Sequence, residues 1–244
     1  MELWGITDCG KVRQQNQDAF LTRQYEEKGI SVLVVCDGMG GANAGNVASE
    51  VAAEAFMDYM NRYIESGCAF IEIPAELVCA VLGANRAVFE KSVTDAEYAG
   101  MGTTLTAAIT TPNGEIIANV GDSRVYHISK NSVNQITKDH SVVSEMVDRG
   151  DLTKAEARIH PNKNLITRAL GTNRSEEPDL FSVKLKPGEY LLLCSDGLTN
   201  VVTEKELKTQ LRLGDGVRGG CERLIALAIE RGAPDNVTVV VYRK

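Results

Sequence analysis

Five aspartates carry the chemical signal in this chain, and two of them close apolar runs. In "SVLVVCDGMGG", residues 31–41, the run Val32 to Cys36 ends in Asp37-Gly38; in "EYLLLCSDGLTN", residues 189–200, the run Tyr190 to Cys194 is followed, one residue on, by Asp196-Gly197. Asp18 in "NQDAF" precedes an apolar stretch, Asp122 lies in "GDSR", and Asp235 stands just before "NVTVVVY". A lone Asp-Gly after a strand is ordinarily a turn. Five carboxylates at strand entrances and exits are different, because aligned strands would gather them on one rim. Carboxylates brought together repel, and such a cluster needs protons or cations to persist. Their oxygens are hard ligands suited to Mg2+, Mn2+ or Ca2+. The glycines beside Asp37 and Asp196 allow close backbone approach, and the Gly38 carbonyl is a further candidate ligand. Zinc lacks its usual His/Cys spacing: His127, His140 and His160 are scattered and read as surface or structural residues.

Strands must position these carboxylates. Six β-branched or apolar segments bounded by Gly, Asp, Asn or Pro read as strands: 31–36, 103–110, 115–120, 123–128, 189–194 and 236–242. "TPNGE" (111–115) predicts a hairpin with an Asn-Gly turn, and "VGDS" (120–123) links the next pair, so 103–128 reads as an antiparallel meander. Between the strands lie two long amphipathic segments. In "NVASEVAAEAFMDYMNRYI" an apolar row runs through Val47, Val51, Ala55, Tyr59 and Tyr63, widened by Ala52, Phe56 and Met60. The second begins at Pro74, a residue suited to a first helical turn, and continues through Leu77, Val81, Val88 and Phe89. A third helix is expected at about 217–231, before the last strand. Strands, two adjacent helices and then more strands argue against βαβ alternation. They predict an α+β fold, helices packed outside antiparallel sheets in a layered sandwich. Residues 141–178 are polar, with short helical patterns and no obvious strand. They read as a flap-like insertion over one rim of a single domain spanning 1–244.

Composition narrows the functional classes. The 244 residues are 43% hydrophobic, ample for a large core, and only 5% aromatic, so aliphatic side chains must fill it. The net charge of −7 disfavours nucleic acid, which calls for a basic footprint. The six cysteines include no CxxC pair and read as reduced thiols, with Cys36 and Cys194 as small buried residues. There is neither a leader-like apolar run with basic flanks nor a membrane-spanning segment, so a cytoplasmic location is expected.

"TDCGKVRQQNQDAF" (7–20), "VVCDGMGG" (34–41), "MGTTLTAA" (101–108), "NVGDSRVYHI" (119–128), "TKDHS" (137–141), "ITRALG" (166–171), "LLLCSDGLTN" (191–200) and "DNVTVVVY" (235–242) occur in that order. Each motif is weak alone, but the ordered series is specific and covers essentially the whole chain. It resembles the metal-dependent serine/threonine protein phosphatases of the type 2C family, in their short bacterial form. The resemblance implies a four-layer α-β-β-α sandwich and hydrolysis of phosphoserine and phosphothreonine by direct attack of a water bridging two Mn2+ or Mg2+ ions. Asp37 would bridge the ions and Gly38 would give one its carbonyl. Asp196 and Asp235 would complete the pair, and Asp18 would act through water. A third, weaker ion would involve Asp122 and Asp196, and Arg13 matches the phosphate-binding arginine. Partners would be phosphoproteins made by a Ser/Thr kinase, and a monomer is expected.

Two positions depart from the pattern. Gln17 stands where many relatives have Glu, which removes a negative charge near the ions. Met39 stands where some eukaryotic relatives have a histidine proposed as general acid, so the leaving-group proton needs another donor, such as water on a metal ion. A two-metal pair needs no covalent phosphoenzyme. Cys9 is not in a CxxxxxR loop, which leaves a thiolate mechanism unsupported. Two rival readings are a two-metal nuclease or small-phosphoester hydrolase, which the acidic balance disfavours, and a pseudophosphatase kept as a binding module. The latter predicts decayed ligands, whereas Asp18, Asp37, Asp196 and Asp235 are all present.

Overall fold

Neighbouring residues of the first apolar run serve different cores. Val32, Val34 and Cys36 pack against Ala52, Phe56 and Met60, whereas Leu33 and Val35 pack with Leu191, Leu193 and Val240. Strand side chains alternate between faces, so a strand covered on both sides must be apolar throughout. The second run behaves alike: Tyr190, Leu192 and Cys194 join a third core with Leu207, Leu224 and Ala228. Three cores separate four layers, which is the expected sandwich.

The computed structural model describes residues 1–40, 44–67 and 69–244. Gly41 of the motif "VVCDGMGG" and Cys68, one of the expected reduced thiols, lie outside the described residues. In chain order the elements are β1 (Glu2–Asp8), β2 (Asp18–Tyr25), β3 (Ile30–Met39), α1 (Gly45–Gly67), α2 (Ile73–Thr94), β4 (Gly102–Thr103), β5 (Leu105–Thr111), β6 (Gly114–Val120), β7 (Arg124–Ile128) and β8 (Val133–Gln135). There follow α3 (Val142–Arg149), α4 (Lys154–Ile159), β9 (Asp179–Val183), β10 (Tyr190–Cys194), α5 (Asp196–Thr199), α6 (Glu204–Leu211), α7 (Gly216–Glu230) and β11 (Val237–Arg243). One sheet has the order β1-β11-β10-β7-β8 and the other β2-β3-β5-β6-β9, with β4 paired to β3; the paired strands are antiparallel. Helices α1 and α2 cover the second sheet, and α5, α6 and α7 cover the first.

The expected meander over 103–128 needs correction. β5 and β6 form a hairpin, but β7 pairs with β10 in the opposite sheet. The "VGDS" segment is therefore a crossing between sheets, and apolar periodicity cannot say which sheet a strand joins. The hairpin turn also differs: Thr111 pairs with Gly114, leaving Pro112-Asn113 at its centre rather than Asn113-Gly114. Proline presets the φ required at the first central position. β1, β2, β8 and β9, absent from the sequence-based strands, complete the sheets. The row Val47, Val51, Ala55, Tyr59, Tyr63 lies at the margin of the buried face of α1, whose centre is Ala52, Phe56 and Met60.

Candidate active site

The sandwich brings the five aspartates to one rim. Asp18 opens β2 and faces Asp37, near the end of β3, in direct cross-strand register. Asp196 follows β10, Asp235 precedes β11, and Asp122 lies in the crossing from β6 to β7. Mutual repulsion ties them together: burial first, and then Asp18, Asp196, Asp122 and Asp235, hold the Asp37 carboxyl well above the usual carboxylate range.

The two Asp-Gly pairs share a physical cause. A Cβ built on Gly38 would stand 2.0 Å from the Gly45 carbonyl oxygen and 2.6 Å from that of Gln17. One built on Gly197 would stand 2.0 Å from the Asn236 carbonyl oxygen. In both places the backbone next to the acid lies against another backbone, so only glycine fits. Asp37-Gly38 is thus a continuation of β3 rather than a turn, and Asp196-Gly197 opens α5.

Polar residues hold each acid in place. Ser195 Oγ and Thr238 Oγ1 donate to Asp18 Oδ2 at 2.7 and 2.6 Å, stitching one sheet to the other. Burial pushes the Asp18 carboxyl up to about 7, against the opposing effect of these two bonds. Its Oδ1 is buried with no hydrogen-bond partner. The Asp37 N–H donates to Thr104 Oγ1, and Thr104 N–H and Thr103 Oγ1 donate back to the Asp37 carbonyl. Asn200 Nδ2 donates to Asp196 Oδ2 at 3.0 Å, and Lys163 Nζ donates in turn to Asn200 Oδ1. Asn236 fixes the 9–17 loop: its Nδ2 donates to the Cys9 and Gln15 carbonyls, and its Oδ1 accepts from Gln17 N–H.

Cations partly offset the cluster. Arg13 Nη2 lies 2.9 Å from Asp235 Oδ2 and feels the charges of Asp37 and Asp196 as well. Arg124 is held by Asp139 through a 2.6 Å ion pair, and its charge opposes the rise of Asp122 and Asp196. Burial nevertheless raises both: Asp122 to about 8, with Asp196 and Asp139 adding to the shift, and Asp196 with Asp235 adding.

An all-oxygen donor set, an orphaned buried carboxylate oxygen and uncompensated negative charge fit a hard divalent cation. Among the described residues, no group of three His, Cys, Asp or Glu side chains is drawn close enough to hold an ion by itself. The two findings are compatible. Mg2+-type ions keep several waters and are bound through one or two carboxylates rather than by an all-protein cage, and here Asp18 and Asp235 lean on protein donors. Two departures have structural places. A Cβ on Gly45 would meet the Gln17 side chain, and one on Gly102 would meet Met39 Cε, so both side chains pack against backbone near the rim.

A cleft of about 470 Å³ opens beside Asp122 and Asp196. Val143 and Val147 of α3, Ala157 and Arg158 of α4, and Lys163 line it, all within residues 141–178. Sequence reasoning assigned no role to Asn236, Ser195, Thr104 or Thr238; only Ser195, after β10, and Asn236, before β11, carry the signal of a polar residue at the end of a buried apolar run.

Two antiparallel sheets with an acidic rim and an arginine beside it form an arrangement suited to divalent cations and a phosphate group. The protein phosphatase 2C family model matches residues 7–218, and the chain belongs to that family. It is 37% identical to the serine/threonine phosphatase stp of Listeria welshimeri over 98% of this chain and 94% of the relative. The crystal structure of Stp1 from Staphylococcus aureus superposes with a TM-score of 0.91 at 36% identity, covering 100% of this chain and 94% of that one. The catalytic domain of the phosphatase PstP, solved in complex with two manganese ions, gives 0.85 at 34% identity over 98% and 96% of the two chains.

Proposed function

We infer that this chain, a serine/threonine protein phosphatase by family, uses a pair of Mn2+ or Mg2+ ions held by Asp37, Asp196 and Asp235, with the Gly38 carbonyl and with Asp18 acting through water. The buried, partnerless Asp18 Oδ1 beneath a group of mutually repelling carboxylates carries this reading. When bound, the ions supply Lewis-acid activation of water. The residues do the rest. Arg13 swings from Asp235 to hold the non-bridging phosphate oxygens with its planar fork. Ser195 and Thr238 keep Asp18 on its axis, and Asn200 orients Asp196. Asp122, with Asp196, serves a third, weaker ion. Met39 offers no proton, so the alkoxide leaving group takes its proton from solvent at the rim.

Residues 141–178 form a flap on a single domain, and the cleft they line beside Asp122 and Asp196 receives the protein part of the substrate. Substrates are phosphoproteins made by a Ser/Thr kinase, and the enzyme acts as a cytoplasmic monomer. The scaffold alternative is not favoured, since the carboxylates are intact. Phosphopeptide hydrolysis with Mn2+ and after exhaustive chelation tests the reading. Turnover should vanish on chelation and return with Mn2+; undiminished turnover in metal-free protein would overturn it.

A further inference from the structure

His140 is buried between the 141–178 segment and the Asp122 crossing, and the chemistry above does not use it. Its backbone N–H donates to the Gly121 carbonyl at 3.0 Å, and its Nδ1 lies 3.1 Å from the Gly121 N–H. One residue therefore holds both backbone polar groups of the residue preceding Asp122. A backbone N–H can only donate, so Nδ1 carries no proton and the neutral ring is the Nε2–H tautomer. That Nε2 lies 3.1 Å from Asp179 Oδ2 and donates to it.

Asp179 is shared. Arg168 Nη1 donates to Asp179 Oδ1 at 2.8 Å and lies 2.9 Å from His140 Nε2, while Arg168 Nε donates to Glu176 at 2.7 Å. Thr167 N–H donates to the His140 carbonyl at 2.8 Å. Burial lowers the pKa of the ring, as does the charge of Arg168, against the pull of Asp179. On the other side the crossing is wedged. Gly121 has φ +108°, and a Cβ there would stand 2.5 Å from Thr104 Cγ2. Thr104 in turn bonds the Asp37 backbone and Ser123 Oγ. The crossing is thus fixed between a residue bound to Asp37 and a histidine bound to the 167–179 stretch.

We propose that His140 is a positioning residue for Asp122: through Nδ1 it sets the Gly121-Asp122 backbone, and Asp179, itself held by Arg168, accepts from Nε2–H and so sets the tautomer and ring plane. This rests on the reading of Asp122 as a carboxylate for a third, weaker ion. Partners behind a metal ligand fix its orientation and typically cost about 10–100-fold in metal affinity or activity when removed. Residues at the foot of the flap therefore govern the aim of a carboxylate they do not touch.

The test has a metal-free arm and a metal-loaded arm. In chelated protein, nitrogen NMR of the His140 ring should show Nδ1 unprotonated and Nε2 protonated, and Asp179→Asn should perturb that ring. In calorimetric Mn2+ titrations, His140→Ala should weaken the low-affinity phase by about tenfold and leave the tight phase unchanged, with a similar loss of phosphopeptide kcat. His140→Asn, whose amide oxygen occupies the Nδ1 position, should recover most of both, and His140→Gln, which reaches the Nε2 position, should not. In an Asp122→Ala background, His140→Ala should add no further loss. A ring protonated on Nδ1, rescue by Gln rather than Asn, or additive losses in the double variant would overturn the proposal while leaving Asp122 its ion. If Asp122→Ala itself keeps a wild-type weak phase and turnover, the third-ion reading falls, and the positioning role falls with it. Should His140→Ala fail to fold, the Asn/Gln pair and the ring tautomer decide.

Discussion

Asp18 and Asp37 stand directly opposite each other across the β2–β3 ladder. Like charges in facing positions destabilise a sheet, and here both are also buried or half-buried. The pair is a weakness for the fold alone and a strength once a divalent cation lies beside it. Asp37→Asn, Asp196→Asn and Asp235→Asn should each reduce turnover by more than the roughly 100-fold that an outer-shell partner can cost. Steady-state rates on a phosphopeptide in saturating Mn2+ measure this.

The same repulsion sets a pH dependence for the metal-free protein. Asp18, Asp37, Asp122 and Asp196 all have raised folded-state pKa values, so each binds its proton more tightly folded than unfolded. Between about pH 4, where an exposed aspartate ionises, and about 7, where Asp18 does, the folded state holds more protons and stability falls as pH rises. His140, with a lowered pKa, works in the opposite direction, but as one group against four. In EDTA, thermal melts should therefore show Tm declining from pH 5 to pH 8, and Mn2+ should raise Tm most at pH 8. A Tm in EDTA that climbs over this range would contradict the assignment of these carboxyls.

Gly38→Ala and Gly197→Ala test the close backbone approaches. Each new methyl meets carbonyl oxygen rather than a flexible side chain, so the backbone must move. Each should lower stability by about 1–3 kcal/mol, the usual cost of overpacking, and weaken Mn2+ binding because the displaced segments carry Asp37 and Asp196. Denaturant melts and metal titrations read the two effects separately.

Arg13→Ala should behave differently. The Arg13–Asp235 pair is exposed, with the arginine side chain 53% accessible, and exposed pairs contribute roughly 0–1 kcal/mol. Its loss should leave Tm nearly unchanged yet raise KM for phosphopeptide, with a smaller change in kcat. Equal kinetics in both parameters would remove its phosphate role.

The strands legible in the sequence were the inner ones, and the four that were not are the four edges. β3, β5, β6, β7, β10 and β11 are covered on both faces and read as apolar runs. β1, β2, β8 and β9 are half-exposed and mix Trp4, Thr22, Arg23, Asn134 and Ser182 into their alternation, so no run marks them. Four of the acids, Asp37, Asp122, Asp196 and Asp235, were legible because each stands at or next to the end of a buried strand, whereas Asp18 opens the half-exposed β2. Their supports were not: Ser195 reaches Asp18 across 177 positions and Thr238 across 220. Such partnerships exist only once the two sheets face each other, and no local spacing encodes them.

The inter-sheet core has a role beyond cohesion. Asp18 and Asp37 ride on one sheet, Asp196 and Asp235 on the other, and Asp122 on the crossing between. The rim behaves as a caliper whose jaws are whole sheets, and the aliphatic filling of Leu33, Val35, Leu191 and Leu193 sets the gap at its tips. Trimming a methyl group deep in that filling closes or skews the jaws, so a variant with no polar change and no contact with a carboxylate reaches the chemistry as an altered spacing between oxygens.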